Sequence, residues 1–136
     1  MGLFSSKKPT TPPTPPAWEP PPGLPRLRLD AQVEVAGVEH YVSAIIDTVR
    51  DVTGREIGKA EYQVLDAVLV AEPDNPHDPR AVAVTVAGRK LGHVPRAYTR
   101  PFHEAMDAEG TDQAVCRVVV AFGPDGVLVM LGGDED

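Results

Sequence analysis

The polar residues best suited to binding chemistry lie in one short stretch, EPDNPHDPRAVAVTVAGRKLGHVPR, which runs from Glu72 to Arg96. Within it, Asn75 and Asp78 stand among three prolines, which stiffen the loop and hold polar side chains in place. Apolar runs on both sides predict strands, so the loop forms a corner between two strands, a frequent location for binding sites. The sequence therefore predicts a hydrogen-bonding site here, with simple closure of the loop by Asn75 and Asp78 as the alternative.

The other reactive side chains do not form a recognisable catalytic or metal-binding pattern. The four histidines are His40, His77, His93 and His103. They do not pair with one another or with Cys116 at the spacing of a metal-ligand motif. Ser43 and Cys116 have no neighbouring general base in the sequence, and Cys116 lies in an apolar run typical of a buried strand. The sequence therefore predicts no catalytic residue, no metal and no cofactor, and it does not predict an enzyme.

Composition and charge limit the class of partner. A formal charge of −7 argues against indiscriminate nucleic-acid binding, which needs a basic surface, so any such contact must be local and depend on geometry. No apolar run approaches the roughly 18 residues of a membrane span. The sequence accordingly predicts a cytoplasmic protein with no membrane association.

The ends of the chain differ in composition from its middle. Nine of the fifteen prolines lie between Pro9 and Pro25, which predicts a disordered, Pro-rich tether over residues 1–26. A folded domain is expected over residues 27–132, followed by an acidic tail over residues 133–136. Trp18, the only tryptophan, is expected to fold back onto the domain or remain loose, with a partner-docking motif as the alternative.

Hydrophobic periodicity predicts many short strands and one helix. The alternation of apolar and polar residues from Leu27 to Val35 indicates a half-buried strand, and residues 41–46 are compatible with a bent continuation of it. Residues 47–59 give no clear pattern and are expected to form an exposed excursion. Further strands are expected over residues 62–70, 81–87 and 91–94, and a hairpin over residues 115–131.

The main helix is predicted between Pro95 and Gly110, where Tyr98, Phe102 and Met106 recur at helical spacing. With the strands, it predicts a mainly β fold: a small, OB-like, partly open β-barrel with one main helix. No phosphate loop or dinucleotide-binding glycine pattern is present.

Three sequence segments together resemble the HIRAN domain family. They are VAGVEHY at 35–41, EPDNPHD at 72–78 followed by AVAV, and GHVPR at 92–96. The resemblance covers approximately Ala31 to Leu131. HIRAN domains occur at the front of helicase-like proteins that remodel replication forks and as small bacterial and phage proteins. The resemblance implies an OB-like barrel that binds single-stranded DNA at its 3′-hydroxyl end, in DNA repair or replication.

The resemblance also implies a set of DNA-binding residues, namely His40, Tyr41, Asn75, His77, Asp78, His93, Arg96 and Phe122. Tyr41 and Phe122 fall where terminal bases stack in the family, and such stacking tolerates any base. Both rings could equally be ordinary barrel core. His40 lies beside Tyr41 at a position that is aromatic in the DNA-binding member, and His77 also replaces an aromatic residue.

The polar members of that set have separate implied roles. Asn75 and Asp78 correspond to the pair that recognises the strand end, and His93 and Arg96 to the phosphate contacts, to which Arg89 or Lys90 could add. An ionised Asp78 accepts a hydrogen bond from a terminal hydroxyl but repels a terminal phosphate.

One departure from the family leaves other functions open. Glu39 stands where the DNA-binding member has an arginine, and an acidic group there repels a strand unless Arg80 or Arg100 compensates it. The first alternative is a protein-interaction adaptor that binds its partner through the Pro-rich tail or the barrel edge. The second is a metal-dependent hydrolase acting on nucleic acid or acid anhydrides through His77, Asp78 and His93.

Overall fold

The computed structural model of the chain describes residues 18–29, 32–54, 62–123 and 126–132. The strands are β1 Arg26–Leu27, β2 Val33–Glu34, β3 Tyr62–Ala71, β4 Val82–Val86, β5 Arg89–His93, β6 Gln113–Gly123 and β7 Gly126–Leu131. The α-helices are α1 Val42–Thr53 and α2 Thr99–Ala108, and single 3-10 turns precede them at Val38–His40 and Arg96–Tyr98.

One sheet organises the domain. Its strand order is β2-β7-β6-β3-β4-β5, with every neighbouring pair antiparallel, and β1 adds to β6 in parallel. Along the central part of the long strands β3 and β6, every second residue faces the core, namely Leu65, Ala67 and Leu69 in β3 and Ala114, Cys116, Val118 and Val120 in β6, which suits a sheet with one buried face.

The sheet curls until its two ends meet. Ala36, just after β2, and His93, the last residue of β5, exchange two backbone hydrogen bonds of 2.8 and 2.9 Å. Because these residues belong to opposite ends of the strand order, the curl closes at this point. The mainly β, partly open barrel predicted from the sequence is confirmed.

The core fills the inside of the curl and is covered by both helices. Leu69, Val84 and Val118 are fully buried on the inner face, and Ile45 from α1 and Phe102 from α2 pack against them. Burial of each large apolar side chain contributes about 1.5–3 kcal/mol, so the helices are an integral part of the barrel.

The prediction for residues 41–53 was wrong, because α1 replaces the bent strand and the start of the excursion. The described residues thus contain two α-helices rather than one. Ile45, Val49 and Val52 are buried at helical spacing, and Gly54 ends the helix at a φ of 79° with its N–H donated to the Arg50 carbonyl. The β-branched residues at the helix start concealed this pattern, since such residues also favour strands.

A continuous strand was predicted from Leu27 to Val35; its described residues form only the short strands β1 and β2, and residues 30–31 lie outside the described part. The predictions for residues 1–17, for 55–59, for the turn at 124–125 and for the acidic tail lie outside the described residues.

The described end of the tether, from Trp18 to Arg26, lies against the barrel. Trp18 is half-buried against the core, the Pro25 carbonyl accepts a 2.8 Å hydrogen bond from Val115, and Arg26 pairs with Asp66 at 3.0 Å. Of the two outcomes expected for Trp18, the structure has the one in which it folds back.

Candidate functional site

The loop that connects β3 to β4 is closed by its own backbone. The Glu72 N–H donates to Ala81 at 2.9 Å, and two tight turns are closed by bonds from Asn75 to Glu72 and from Ala81 to Asp78, both 3.0 Å. With three prolines in between, few backbone torsions remain free. The side chains on this loop are therefore held in defined positions.

The Asn75 side chain makes three hydrogen bonds, all of them inside this loop. Its amide oxygen accepts the backbone N–H groups of His77 at 2.8 Å and Asp78 at 3.1 Å. Its amide nitrogen donates to Glu72 at 3.0 Å. The loop-closing alternative for Asn75 is thus realised, and one amide hydrogen remains for any ligand.

Glu72 is the centre of the polar cluster. One carboxylate oxygen accepts from Asn75 and from His93 Nε2 at 2.9 Å, and the other accepts from Lys90 Nζ at 2.7 Å. Partial burial by itself raises the pKa of Glu72, but these hydrogen bonds and the charge of Lys90 outweigh it and lower the pKa to about 2. The side chain is ionised and only 21% exposed.

A β-bulge brings Lys90 and His93 to the same carboxylate. The pairing of β4 with β5 shifts register between Val84 and Thr85, which leaves Leu91 as an extra residue on β5. Residues three apart on a regular strand point to opposite faces, whereas the bulge lets both side chains reach Glu72.

Gly92 permits the close approach that positions His93. A Cβ atom on Gly92 would lie 2.5 Å from the Ala36 carbonyl oxygen and 2.6 Å from a Val35 methyl group. Only glycine fits this contact, where the barrel closes and the His93 backbone is fixed.

Asp78 and Arg96 form the outer part of the cluster. One oxygen of Asp78 accepts the Arg80 N–H at 2.9 Å, and the other lies 3.3 Å from Arg96 Nε. The Arg80 N–H, together with Arg96, holds the pKa of Asp78 below its ordinary value although partial burial opposes this. The Asp78 side chain is 21% exposed and that of Arg96 78%, so a cation open to solvent stands beside a recessed carboxylate.

His103 of α2 supports the same end of the loop. Its Nε2 lies 2.8 Å from the Arg80 carbonyl oxygen, to which a protonated ring nitrogen donates. Arg80 also donates its N–H to Asp78. His103 therefore contacts the backbone of the residue that is hydrogen-bonded to Asp78. His77 contributes its N–H to Asn75 and is exposed.

Five of the predicted site residues, Asn75, His77, Asp78, His93 and Arg96, are thus brought together. Among the described residues, their side-chain hydrogen bonds do not extend to His40, Tyr41 or Phe122. His40 is exposed, 3.6 Å from Glu39, while Tyr41 and Phe122 are half-buried against the core.

Phe122 lies far from the loop when measured along β6. Gln113, at the start of this strand, pairs with Val70 at the loop end of β3, whereas Phe122 pairs with Val127 near the opposite end. Nine residues separate Gln113 from Phe122, roughly 30 Å along the strand.

Two basic residues given possible roles from the sequence, Arg89 as a phosphate contact and Arg100 as a partner of Glu39, pair with other acidic residues. Arg89 pairs with Asp51 of α1 at 2.6 Å, and Arg100 pairs with Glu104 at 3.1 Å. Arg100 therefore does not act as the expected partner of Glu39.

Sequence reasoning gave no role to Glu72 and treated Lys90 only as a possible phosphate contact. The available signal was Glu72 itself, an acidic residue directly after a buried strand. Its partners are 18 and 21 residues away in the chain, and only the strand pairing shows that they meet it.

The described residues line depressions on the surface, among them the following two. One, of about 410 Å³, opens beside Glu72, Asn75 and Lys90. The other, of about 640 Å³, lies under Trp18 between α1 and β3.

Within the described parts of the chain, no group of three or more His, Cys, Asp or Glu side chains is arranged to hold a metal ion. No helix there is long and apolar enough to cross a membrane.

Comparison with known protein families gives a match over most of the chain. The family model of the HIRAN domain matches residues 29–121, which is 93 of the 136 residues. No curated protein and no solved structure matches the chain significantly.

Proposed function

This chain belongs to the HIRAN domain family, a family of nucleic-acid-binding domains, and we propose that its loop cluster binds the 3′-hydroxyl end of single-stranded DNA. In this proposal the domain has no catalytic role. It captures strand ends in DNA repair or replication.

The recessed Asp78 carboxylate beside the open Arg96 is the observation that carries the proposal. Asp78 is ionised and each of its oxygens retains a lone pair, so it can accept a hydrogen bond from a terminal hydroxyl. A terminal phosphate in the same place would meet a like charge at short range. Arg96 can meanwhile contact the preceding phosphate.

Asp78→Asn tests the discrimination between ends. Asparagine keeps the shape and the oxygen that caps the Arg80 N–H, but it removes the negative charge. We expect the wild-type domain to bind a short 3′-hydroxyl strand about tenfold or more tightly than the same strand with a 3′-phosphate, since one strong charge-assisted contact is worth about 1.5–3 kcal/mol. Asp78→Asn should reduce this ratio to near one in fluorescence anisotropy.

Asp74→Asn is the matched control, because Asp74 is an exposed carboxylate of the same loop. It makes the same change in charge and should leave the preference for the hydroxyl end intact. Equal wild-type affinity for both ends, or an Asp78→Asn domain that still discriminates, contradicts the proposal.

A protein-interaction adaptor is the second candidate, and the outer face of the sheet favours it. Tyr62, Ala121 and Leu128 form one cross-strand row, and Tyr62 is 66% exposed. Val64 and Met130 lie in the next row with Val119. Such apolar rows are typical of contact surfaces.

The adaptor is tested by affinity capture with the wild-type domain and with Tyr62→Asp/Leu128→Asp, each immobilised and exposed to a lysate. A partner retained by the wild type and lost by the double variant supports it. Identical captured proteins for the two baits argue against it.

A further inference from the structure

Glu72 lies between two basic side chains that face the proposed DNA site. Its carboxylate contacts Lys90 Nζ at 2.7 Å and His93 Nε2 at 2.9 Å. Lys90 and His93 are 34% and 27% exposed, against 78% for Arg96. The cluster therefore contains one open basic side chain, Arg96, and two shielded ones, Lys90 and His93.

Glu72 is fixed in this position. Asn75 donates to the same oxygen that His93 contacts, and the backbone of Glu72 bonds to both Asn75 and Ala81. The bulge on β5 holds Lys90 and His93 on the side of Glu72. A phosphate that approached Lys90 would have to compete with a carboxylate already in contact.

We infer that Glu72 is an internal counterion that removes Lys90 and His93 from phosphate contact and so limits the strength of strand binding. This inference rests on the proposed function, because its test measures the binding of single-stranded DNA. Under it, Arg96 supplies the phosphate contact at this cluster. The role of Glu72 is to set affinity and salt dependence rather than to choose between ends.

Each cation that contacts a phosphate of a single strand adds about 0.7 to the slope of log affinity against log salt. Glu72→Gln keeps the side-chain shape and an oxygen for Asn75, but leaves Lys90 without its counterion. The slope should steepen by about 0.7. Affinity at 0.1 M salt should rise roughly fivefold, which is ten raised to the power 0.7, because 0.1 M lies one decade below the 1 M reference of the salt dependence.

Three further variants complete the experiment, all measured by anisotropy with a 3′-hydroxyl strand across a salt series. Glu72→Gln/Lys90→Gln should return the slope to the wild-type value. Asp74→Asn should leave the slope unchanged, since its charge cancels no cation of the cluster. Lys90→Gln alone should also leave the slope unchanged, because that charge is already neutralised.

Several outcomes would overturn the inference. One is a slope that does not change in Glu72→Gln; another is a slope about 0.7 shallower in Lys90→Gln alone, which would make Lys90 a working phosphate contact. The second result decides the question even if Glu72→Gln does not fold, as thermal melting would reveal.

Failure of the proposed function looks different. If the wild type binds no strand but Glu72→Gln does, and Lys90→Gln reverses this gain, the proposed function fails and the inference stands. If the wild type binds and discriminates ends while Glu72→Gln behaves identically, the inference fails and the function stands. If neither chain binds a strand, both fail.

Discussion

At the residue scale, the Glu72 carboxylate links the strand ends to the loop. Three donors converge on it from Asn75, Lys90 and His93. A carboxylate this well solvated by protein donors stabilises the folded state only while it is ionised. The same contacts that shape the site thus contribute to the stability of the barrel.

This contribution predicts an acid-dependent stability. The pKa of Glu72 is lowered from 4.5 to about 2 on folding, so its contribution is fully present above pH 4.5 and is lost as pH falls towards 2. We expect at most about 3 kcal/mol to disappear over this range. Urea unfolding from pH 7 to pH 2 should show this loss in the wild type and a shallower acid dependence in Glu72→Gln. Parallel curves for the two chains would contradict the prediction.

At the element scale, the contact of β5 with the segment after β2 determines whether the sheet is a barrel. The Ala36 and His93 backbones bond here because Gly92 has no side chain. The same contact places His93 against Glu72. The element that closes the barrel therefore also aligns the site.

Gly92→Ala should open this closure. Its Cβ would overlap the Ala36 carbonyl, and Gly92 has a φ of 154°, where other residues are strained. We expect a loss of about 2 kcal/mol or more in the free energy of unfolding, measured with urea.

Gly123→Ala is the control for this prediction, because nothing lies within 4 Å of its Cβ position. It should change stability by no more than about 0.5 kcal/mol. Equal effects at the two positions would mean that the close approach at Gly92 is unimportant.

At the scale of the whole molecule, the end of the Pro-rich segment is part of the folded unit. Trp18 packs on the core. Strand β1 pairs with Val115 and Cys116 of β6, just before the residues of β6 that pair with β7. Several residues that precede the expected domain boundary at residue 27 therefore contact the barrel.

Trp18 offers a direct test, since it is the only tryptophan. Its fluorescence should be blue-shifted in the native protein and shift to the red in urea together with the loss of circular dichroism. Trp18→Ala should destabilise the domain by about 1–2 kcal/mol through lost apolar burial, with Trp18→Phe causing a smaller loss. A native spectrum identical to that in urea would show that Trp18 does not pack.

Local patterns in the sequence determined much of the fold. Apolar runs rich in valine predicted β4 and the long strands β3 and β6, and the helical spacing of Phe102 and Met106 predicted α2. Helix α1 was missed because its β-branched residues fit both a strand pattern and a helical pattern. Packing of its apolar side against the rest of the barrel favours the helix. The prolines and the Asn and Asp residues likewise identified the loop, since turn chemistry depends on neighbours in the chain.

The tertiary structure alone decided which charges meet. On a regular strand, the side chains of Lys90 and His93 would point to opposite faces. The bulge on β5 lets both of them contact Glu72. The sequence likewise could not show that Arg89 pairs with Asp51 rather than with a ligand. Short-range patterns report backbone preferences, whereas the pairing of distant charges depends on strand register, which is set by the packing of the whole sheet.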